Sequence, residues 1–296
     1  MRGVEPRFEP RERFLALRPG RAEPRFAGLW ATGALESLAR PCIAIVGTRA
    51  ASPYGRSQAR SIAGELAGLG LCVLSGLALG IDSAAHEGAL DAAAPTVGVL
   101  GSGHRCFYPA RNTALAARML AAGGAVLSPF PPEEPARPGQ FLARNGVVVA
   151  LADALLVVEA PLRSGALNTA GWAAGEIPVL ALPSDVDRRS GAGSLALLRD
   201  GATLVRDAAD IVEAMGLLRP VPPTGGEPAR REPAIPVGDA LLALLQGGAS
   251  TLEELAAASG SPTAELLGRL NLLELGGAIE RRGAGYALAR RPRKAR

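Results

Sequence analysis

The chain has 296 residues, 48% of them hydrophobic and 20% charged, with a formal net charge of only +4. Apolar content this high with so little net charge argues for one large and one small folded domain and against disorder. The longest uncharged run, Leu66 to Ile81, has 16 residues with four glycines, too short and too glycine-rich to span a membrane, and the Arg- and Glu-rich N-terminus shows no signal peptide.

Residues 1–40 mix charged, proline and small residues with scattered apolar ones and read as an irregular lead-in. From Cys42 the pattern changes. Apolar runs at 42–46, 71–75, 96–100, 125–128, 154–159, 178–182 and 203–206 alternate with Ala-rich stretches predicting helices over 55–68, 83–93, 112–122, 141–151, 165–175, 193–199 and 208–214. That alternation is the signature of βαβ units, and strands apolar throughout are covered on both faces. The fold class expected for 41–216 is therefore α/β, an extended Rossmann-like, doubly wound and mostly parallel sheet.

Residues 217–236 are Pro/Gly-rich and read as a linker. Beyond it, 237–289 predicts helices at 238–246, 252–258 and 262–275, then two short strands at 278–282 and 285–289. Ser250 or Thr251 is the N-cap of the second helix, with Glu254 placed for a capping box. Three helices and a hairpin make a small C-terminal winged-helix domain. Residues 290–296 form a basic tail.

The pI near 9.4 suggests a nucleic-acid partner, but the excess charge is confined to the two ends. Five cations in the tail take the net charge from −1 to +4, the first 40 residues carry 8 Arg against 5 Glu, and the body between is −4. Bulk electrostatics therefore does not make the body a DNA binder; a local arginine cluster would have to. The winged helix has three arginines against seven acidic residues over 232–289. Its third helix carries Glu265, Arg269, Asn271 and Glu274, which suits protein contact better than phosphate.

Ligands of open parallel sheets bind beyond the carboxyl ends of the strands. Those ends here are Gly47-Thr48-Arg49, Ser75-Gly76 through Gly80-Ile81-Asp82, Gly101-Ser102-Gly103, and Glu159 followed by Arg163-Ser164-Gly165. Glycines with helix N-termini can hold anions, and Arg49, Arg111, Arg144 and Arg163 are placed to line such a crevice. Ordinary turn chemistry explains any one of these loops equally well. Neither a GxGxxG nor a P-loop is present, and no catalytic serine or metal spacing emerges. Asp82 reads as a helix cap, Glu159 as a loop tie, and His86 and His104 as structural. Trp30 and Trp172 read as packing residues. Cys42, Cys72 and Cys106 read as reduced cytosolic thiols.

The motifs GTRAASPYG, SGLALGID followed by AAH, YPARN, FLARN and VVEAPLRSGALNTA, in this order, resemble the DprA/Smf family of DNA-processing proteins over residues 24–216, and the C-terminal segment is similar to the family's appended winged helix. The resemblance implies a cytoplasmic, non-enzymatic homodimer with no cofactor and no metal. It would bind single-stranded DNA, protect incoming strands in natural transformation, and load the RecA recombinase while helping displace single-strand binding protein. Carried over motif by motif, the DNA-contacting residues would be Arg49, Ser52, Gly55, Ser75, Gly76, Gly80, Asn112, Arg144, Asn145, Ser164, Gly165 and Thr169, with Asp82, His86 and Glu159 supporting the loops. Phe141 either offers a base a stacking face or packs in the core.

Three positions depart from the family pattern. Leu79 stands for the arginine of SGxARGID, Gly146 for the second arginine of RNR, and Leu182-Pro183-Ser184 for VPG. Losing two cations weakens phosphate neutralisation. A nucleotide-processing phosphoribohydrolase is the alternative, although its PGGxGTxxE loop is absent. A ligand-sensing winged-helix transcription factor is a third reading, against which the acidic third helix counts.

Overall fold

A computed structural model describes residues 5–19 and 26–217 and, in the C-terminal region, 244–245, 250–259, 263, 266, 270, 273–274, 278–282 and 285–288. The chain divides into two compact units, Met1–Val221 and Pro222–Arg296.

In the first unit the alternation of apolar runs and Ala-rich stretches becomes a sheet with helices on both faces. In chain order the elements are β1 (Arg7–Pro10), α1 (Arg11–Leu17), β2 (Gly28–Gly33), β3 (Cys42–Val46), α2 (Pro53–Gly68), β4 (Cys72–Ser75), α3 (Ile81–Asp91), β5 (Thr96–Val99), α4 (Thr113–Ala121) and β6 (Ala125–Ser128). They continue with α5 (Pro138–Ala150), β7 (Ala154–Val157), α6 (Gly165–Ala173), β8 (Val179–Ala181), α7 (Ala192–Arg199), β9 (Thr203–Leu204) and α8 (Ala208–Ala214). The sheet order is β1-β2-β6-β5-β4-β3-β7-β8-β9. Strands β3 to β9 are parallel, and β2 and β1 add on antiparallel at one edge.

The pleat explains why the strands read as unbroken apolar runs. Cys42, Ala44 and Val46 enter one core with Phe14 of α1, Val147 and Val148 of α5, and Ala166 and Ala170 of α6. Ile43 and Ile45 point the other way, into a second core with Ile62 and Leu66 of α2, Ala85 and Ala89 of α3 and Ile211 of α8. Every residue of β3 is buried by one face or the other, as a doubly wound sheet requires. Cys42 and Cys72 lie opposite each other in the β3–β4 ladder and are free thiols.

The lead-in is the main correction. In its described part, residues 1–40 are not irregular: β1 and β2 extend the sheet, and Leu29 and Leu38 are fully buried. Its signal is weak because β1 is an edge strand whose residues are mostly exposed, which leaves charged residues between the apolar ones. The segment is tied down by a buried cation instead. Arg18 donates to the carbonyls of Leu38 at 2.8 Å and Arg40 at 3.2 Å and pairs with Asp153 at 2.6 Å.

In the second unit, β10 (Ser250–Thr251) pairs with β12 (Gly285–Leu288), which pairs with β11 (Ile279–Arg282). The helix α9 (Leu252–Ser259) opens with the anticipated capping box. The Thr251 amide donates to Glu254 Oε2 at 2.9 Å, and the Glu254 amide donates to Thr251 Oγ1 at 3.3 Å. Leu245, Leu255, Leu266, Leu270, Ile279 and Tyr286 form its core. The predicted linker, apart from Leu217, and the basic tail lie outside the described residues. So do Glu265, Arg269 and Asn271 of the acidic helix.

Candidate functional site

Strand β3 has β4 on one side and β7 on the other, and the chain winds outward in both directions from it. The loops after β3 and β7 therefore diverge, and a crevice opens between them at the carboxyl ends. That crevice is a cleft of about 850 Å³. Its walls are the β3 loop, the start of the β4 loop, the cleft-facing side of α5 and the N-terminus of α6.

The β3 loop is set by Glu159. Its backbone carbonyl accepts from the Thr48 amide at 2.7 Å, and its buried carboxylate accepts from the Ser52 amide and hydroxyl at 2.9 and 3.0 Å. Ser52 Oγ in turn accepts from the Gly55 amide at 3.0 Å as the N-cap of α2. A helix N-terminus attracts anions, and at α2 the attracted anion is the protein's own carboxylate. Held this way, the loop presents Arg49 to the cleft with its guanidinium carbon 5.1 Å from the centroid of the Phe141 ring.

The β4 loop is built on the same principle. The buried Asp82 carboxylate accepts from the amides of Gly76 at 3.0 Å and Ala78 at 3.3 Å. Asn112 donates to the carbonyls of Leu77 at 2.7 Å and Ala78 at 3.1 Å, and to Ser83 Oγ at 2.9 Å. Ser75 donates to the Ile45 carbonyl at 2.6 Å. Gly80, at φ +81°, turns the chain tightly against the carbonyls of Thr48 and Arg49, a conformation that glycine adopts without a steric penalty.

Arg144 lies in the cleft floor, only 4% exposed, and donates to the carbonyls of Gly76 and Val99. A side chain at position 76 would collide with its guanidinium. Burial lowers the Arg144 pKa to about 10, with the charge of Asp82 opposing and that of Arg49 adding to the shift. Burial raises that of Asp82, and Arg144 opposes this. Arg144 is therefore a cation at neutral pH, and the buried Asp82 carboxyl acts on its charge.

The last wall is α6. Ser164 caps it by accepting from the Leu167 amide at 3.3 Å, and Thr169 donates to the Gly165 carbonyl at 3.0 Å. Asn145 of α5 donates to the Gly165 carbonyl and to Asn168 Oδ1, both at 3.2 Å. This N-terminus opens onto the cleft, where Arg163, Ser164, Gly165 and Ala166 line the wall.

Of the residues singled out from the sequence, Arg49, Gly76, Asp82, Phe141, Arg144, Asn145, Ser164, Gly165 and Thr169 come together on the cleft. Ser52, Gly55, Ser75, Gly80 and Asn112, anticipated as DNA contacts, stand behind the wall, their hydrogen bonds and packing directed at the loops themselves. Glu159 and His86 also lie off the cleft. His86 is buried in α3, its Nδ1 2.8 Å from Thr96 Oγ1, and burial lowers its pKa to about 3. Arg163 lines the cleft and Arg111 does not. Sequence reasoning did not single out Tyr108. It is half-exposed on the rim, its ring centroid 5.7 Å from that of Phe141, and the available signal is the aromatic that opens YPARN in the long loop after β5. Among the described residues no cluster of His, Cys, Asp and Glu could hold a metal ion, and no helix is long and apolar enough to cross a membrane.

Comparison with known proteins places this geometry. Residues 20–216 match the model of DNA recombination-mediator protein A, and 226–285 that of the DprA winged helix domain. The chain belongs to the DprA/Smf family. It is 42% identical over 287 residues to a DprA-named protein of Mycobacterium tuberculosis, covering 88% of this chain and 71% of the relative. It is 35% identical over 269 residues to the Smf protein of Escherichia coli, covering 89% and 72%. The DNA processing protein A structure from Helicobacter pylori, reported for its single-stranded DNA binding mode, superposes with a TM-score of 0.60 at 27% identity, over 73% of this chain and 95% of that one. The Streptococcus pneumoniae DprA structure gives 0.59 at 35% identity, over 63% and 66%.

Two departures from the family pattern fall at or near the cleft. Leu79, where the resemblance implies an arginine, lines a small side pocket of it with Tyr108, Pro109, Phe141, Arg49 and Arg144, so position 79 brings no charge to the site. Gly146 faces the indole of Trp172 on α6, beside the cleft wall.

Proposed function

We propose that this protein binds single-stranded DNA in the cleft and works as a recombination mediator without catalysing a reaction. The observation that carries the proposal is the Arg49–Phe141 stack at the mouth of a strand-end cleft whose other exposed cation is Arg163. An arginine plane beside an aromatic ring can stack a base and grip the neighbouring phosphate, and neither interaction depends on base identity. The single-strand binding reported for the Helicobacter pylori relative supports the same reading. We extend it to the family's wider role: a cytoplasmic homodimer that shields incoming strands in natural transformation, displaces single-strand binding protein and delivers the strand to RecA.

Fluorescence anisotropy of labelled oligothymidine and an equal-length duplex, across a salt series with nucleoside monophosphate as competitor, tests the site. The expected result is preference for the single strand, at least about tenfold weaker binding by Arg49→Glu at low salt, and a shallower salt slope in that variant. Unchanged affinity in Arg49→Glu overturns the site. Displacement by low mononucleotide concentrations overturns the mediator reading in favour of a nucleotide-processing enzyme. Delivery to RecA is read from RecA filament growth on strands coated with single-strand binding protein, with and without this protein.

A further inference from the structure

We infer that Trp172 is a second base-stacking position, used by the part of a single strand that leaves the cleft along the seam between α5 and α6. This rests on the single-strand reading of the cleft. The sequence suggested a packing role for Trp172, but it is 42% exposed, and Leu142 is 48% exposed. The indole is nonetheless not loose. A Cβ at Gly146 would lie only 3.4 Å from its Cδ2 and Cε3, so the ring rests against α5 where no side chain intervenes. A ring already held against a helix loses little side-chain freedom when a base stacks on it.

The path from the cleft is continuous on both helices. On α5, Leu142 lines the cleft and Gly146 follows one turn later on the same face. On α6, Asn168 bonds to Asn145 at the cleft edge and Trp172 follows one turn later. One turn is about 5.4 Å, within one or two nucleotides at about 3.4 Å per stacked base. The exposed apolar strip thus begins on the cleft wall and ends at the indole. A strand crossing it would place sugar and base edges over Leu142 and a base plane on Trp172.

The chain has two tryptophans, so Trp30→Phe leaves Trp172 as the sole tryptophan, excited selectively on the red edge of indole absorption. Its emission is titrated with oligothymidines of increasing length while anisotropy reports binding of the same oligomers. The expected result is that short oligomers bind without quenching and longer ones quench. Trp172→Ala should weaken the longer oligomers about 5- to 100-fold and leave the short ones unchanged, with Trp172→Phe restoring most of the affinity. Long oligomers that bind without quenching, at unchanged affinity in Trp172→Ala, overturn the inference. So does an emission change on raising protein concentration without DNA, accompanied by a rise in mass, because a second copy then covers the indole. If no oligomer binds, the cleft reading itself falls.

Discussion

Gly76 is where the buried Arg144 guanidinium meets the floor of the cleft, and a methyl group there has no room. Gly76→Ala should fold, lose about 1–3 kcal/mol of stability through overpacking, and bind oligothymidine more weakly because Arg144 is displaced; thermal melting and anisotropy measure the two effects separately. His86 yields a prediction in pH. Thr96 Oγ1 donates to the Val73 carbonyl at 2.7 Å, so it accepts from His86 Nδ1–H. Nε2 has no hydrogen-bond partner, and the ring is buried neutral. Its folded pKa of about 3 lies below the unfolded value of 6.5. Its contribution is therefore fully present above pH 6.5 and is lost as pH falls toward 3, at about 1.4 kcal/mol per pH unit. Denaturant melts of the wild type and His86→Gln between pH 7 and 4 should converge on acidification; parallel curves would refute the assignment. At this scale the sequence shows which loops matter better than what each residue does. GTR and FLARN mark the cleft, but Ser52, Gly55, Ser75 and Asn112 turn inward. The carboxylates that occupy their neighbouring amides, Glu159 and Asp82, come from elsewhere in the chain or from the next helix.

At the scale of elements, the parallel strands β3 to β7 are legible because burial on both faces leaves each a nearly unbroken apolar run. The N-terminal elements are not, because β1 is an exposed edge and much of the segment's anchoring comes from Arg18, a charged residue that a hydropathy reading assigns to the surface. Arg18 brings together the carbonyls preceding β3 and the Asp153 carboxylate preceding β7, which also accepts from the Cys42 amide at 2.7 Å. Arg18→Met should cost about 3 kcal/mol, the lower end for a broken buried pair, because the Asp153 side chain is 29% exposed and regains some water. Hydrogen exchange should show the destabilisation concentrated in α1 and at the start of β3, while the amides of α2 and α3 on the opposite face keep their protection. Equal loosening of both faces would mean that the lead-in supports the whole sheet.

At the scale of the molecule, the charge is divided between the ends and the body in a way that separates affinity from selectivity. The body is −4 and the last seven residues hold five cations, whereas the cleft carries two exposed arginines, Arg49 and Arg163, and a third, Arg144, that is buried. A run of cations meets phosphates wherever they occur and cannot tell one strand from two. The cleft can, because stacking on Phe141, Tyr108 and the Arg49 plane needs a base that is free of its partner. Deleting residues 290–296 should therefore weaken single-strand and duplex binding together and flatten the single-strand salt slope by up to about 3.5, at about 0.7 for each phosphate left unneutralised, while the ratio of the two affinities holds. Arg49→Glu in the full chain should do the reverse, reducing the ratio while the tail still holds duplex DNA. If the truncated chain lost its preference and Arg49→Glu kept it, the discrimination would reside in the tail, and the cleft would need another ligand.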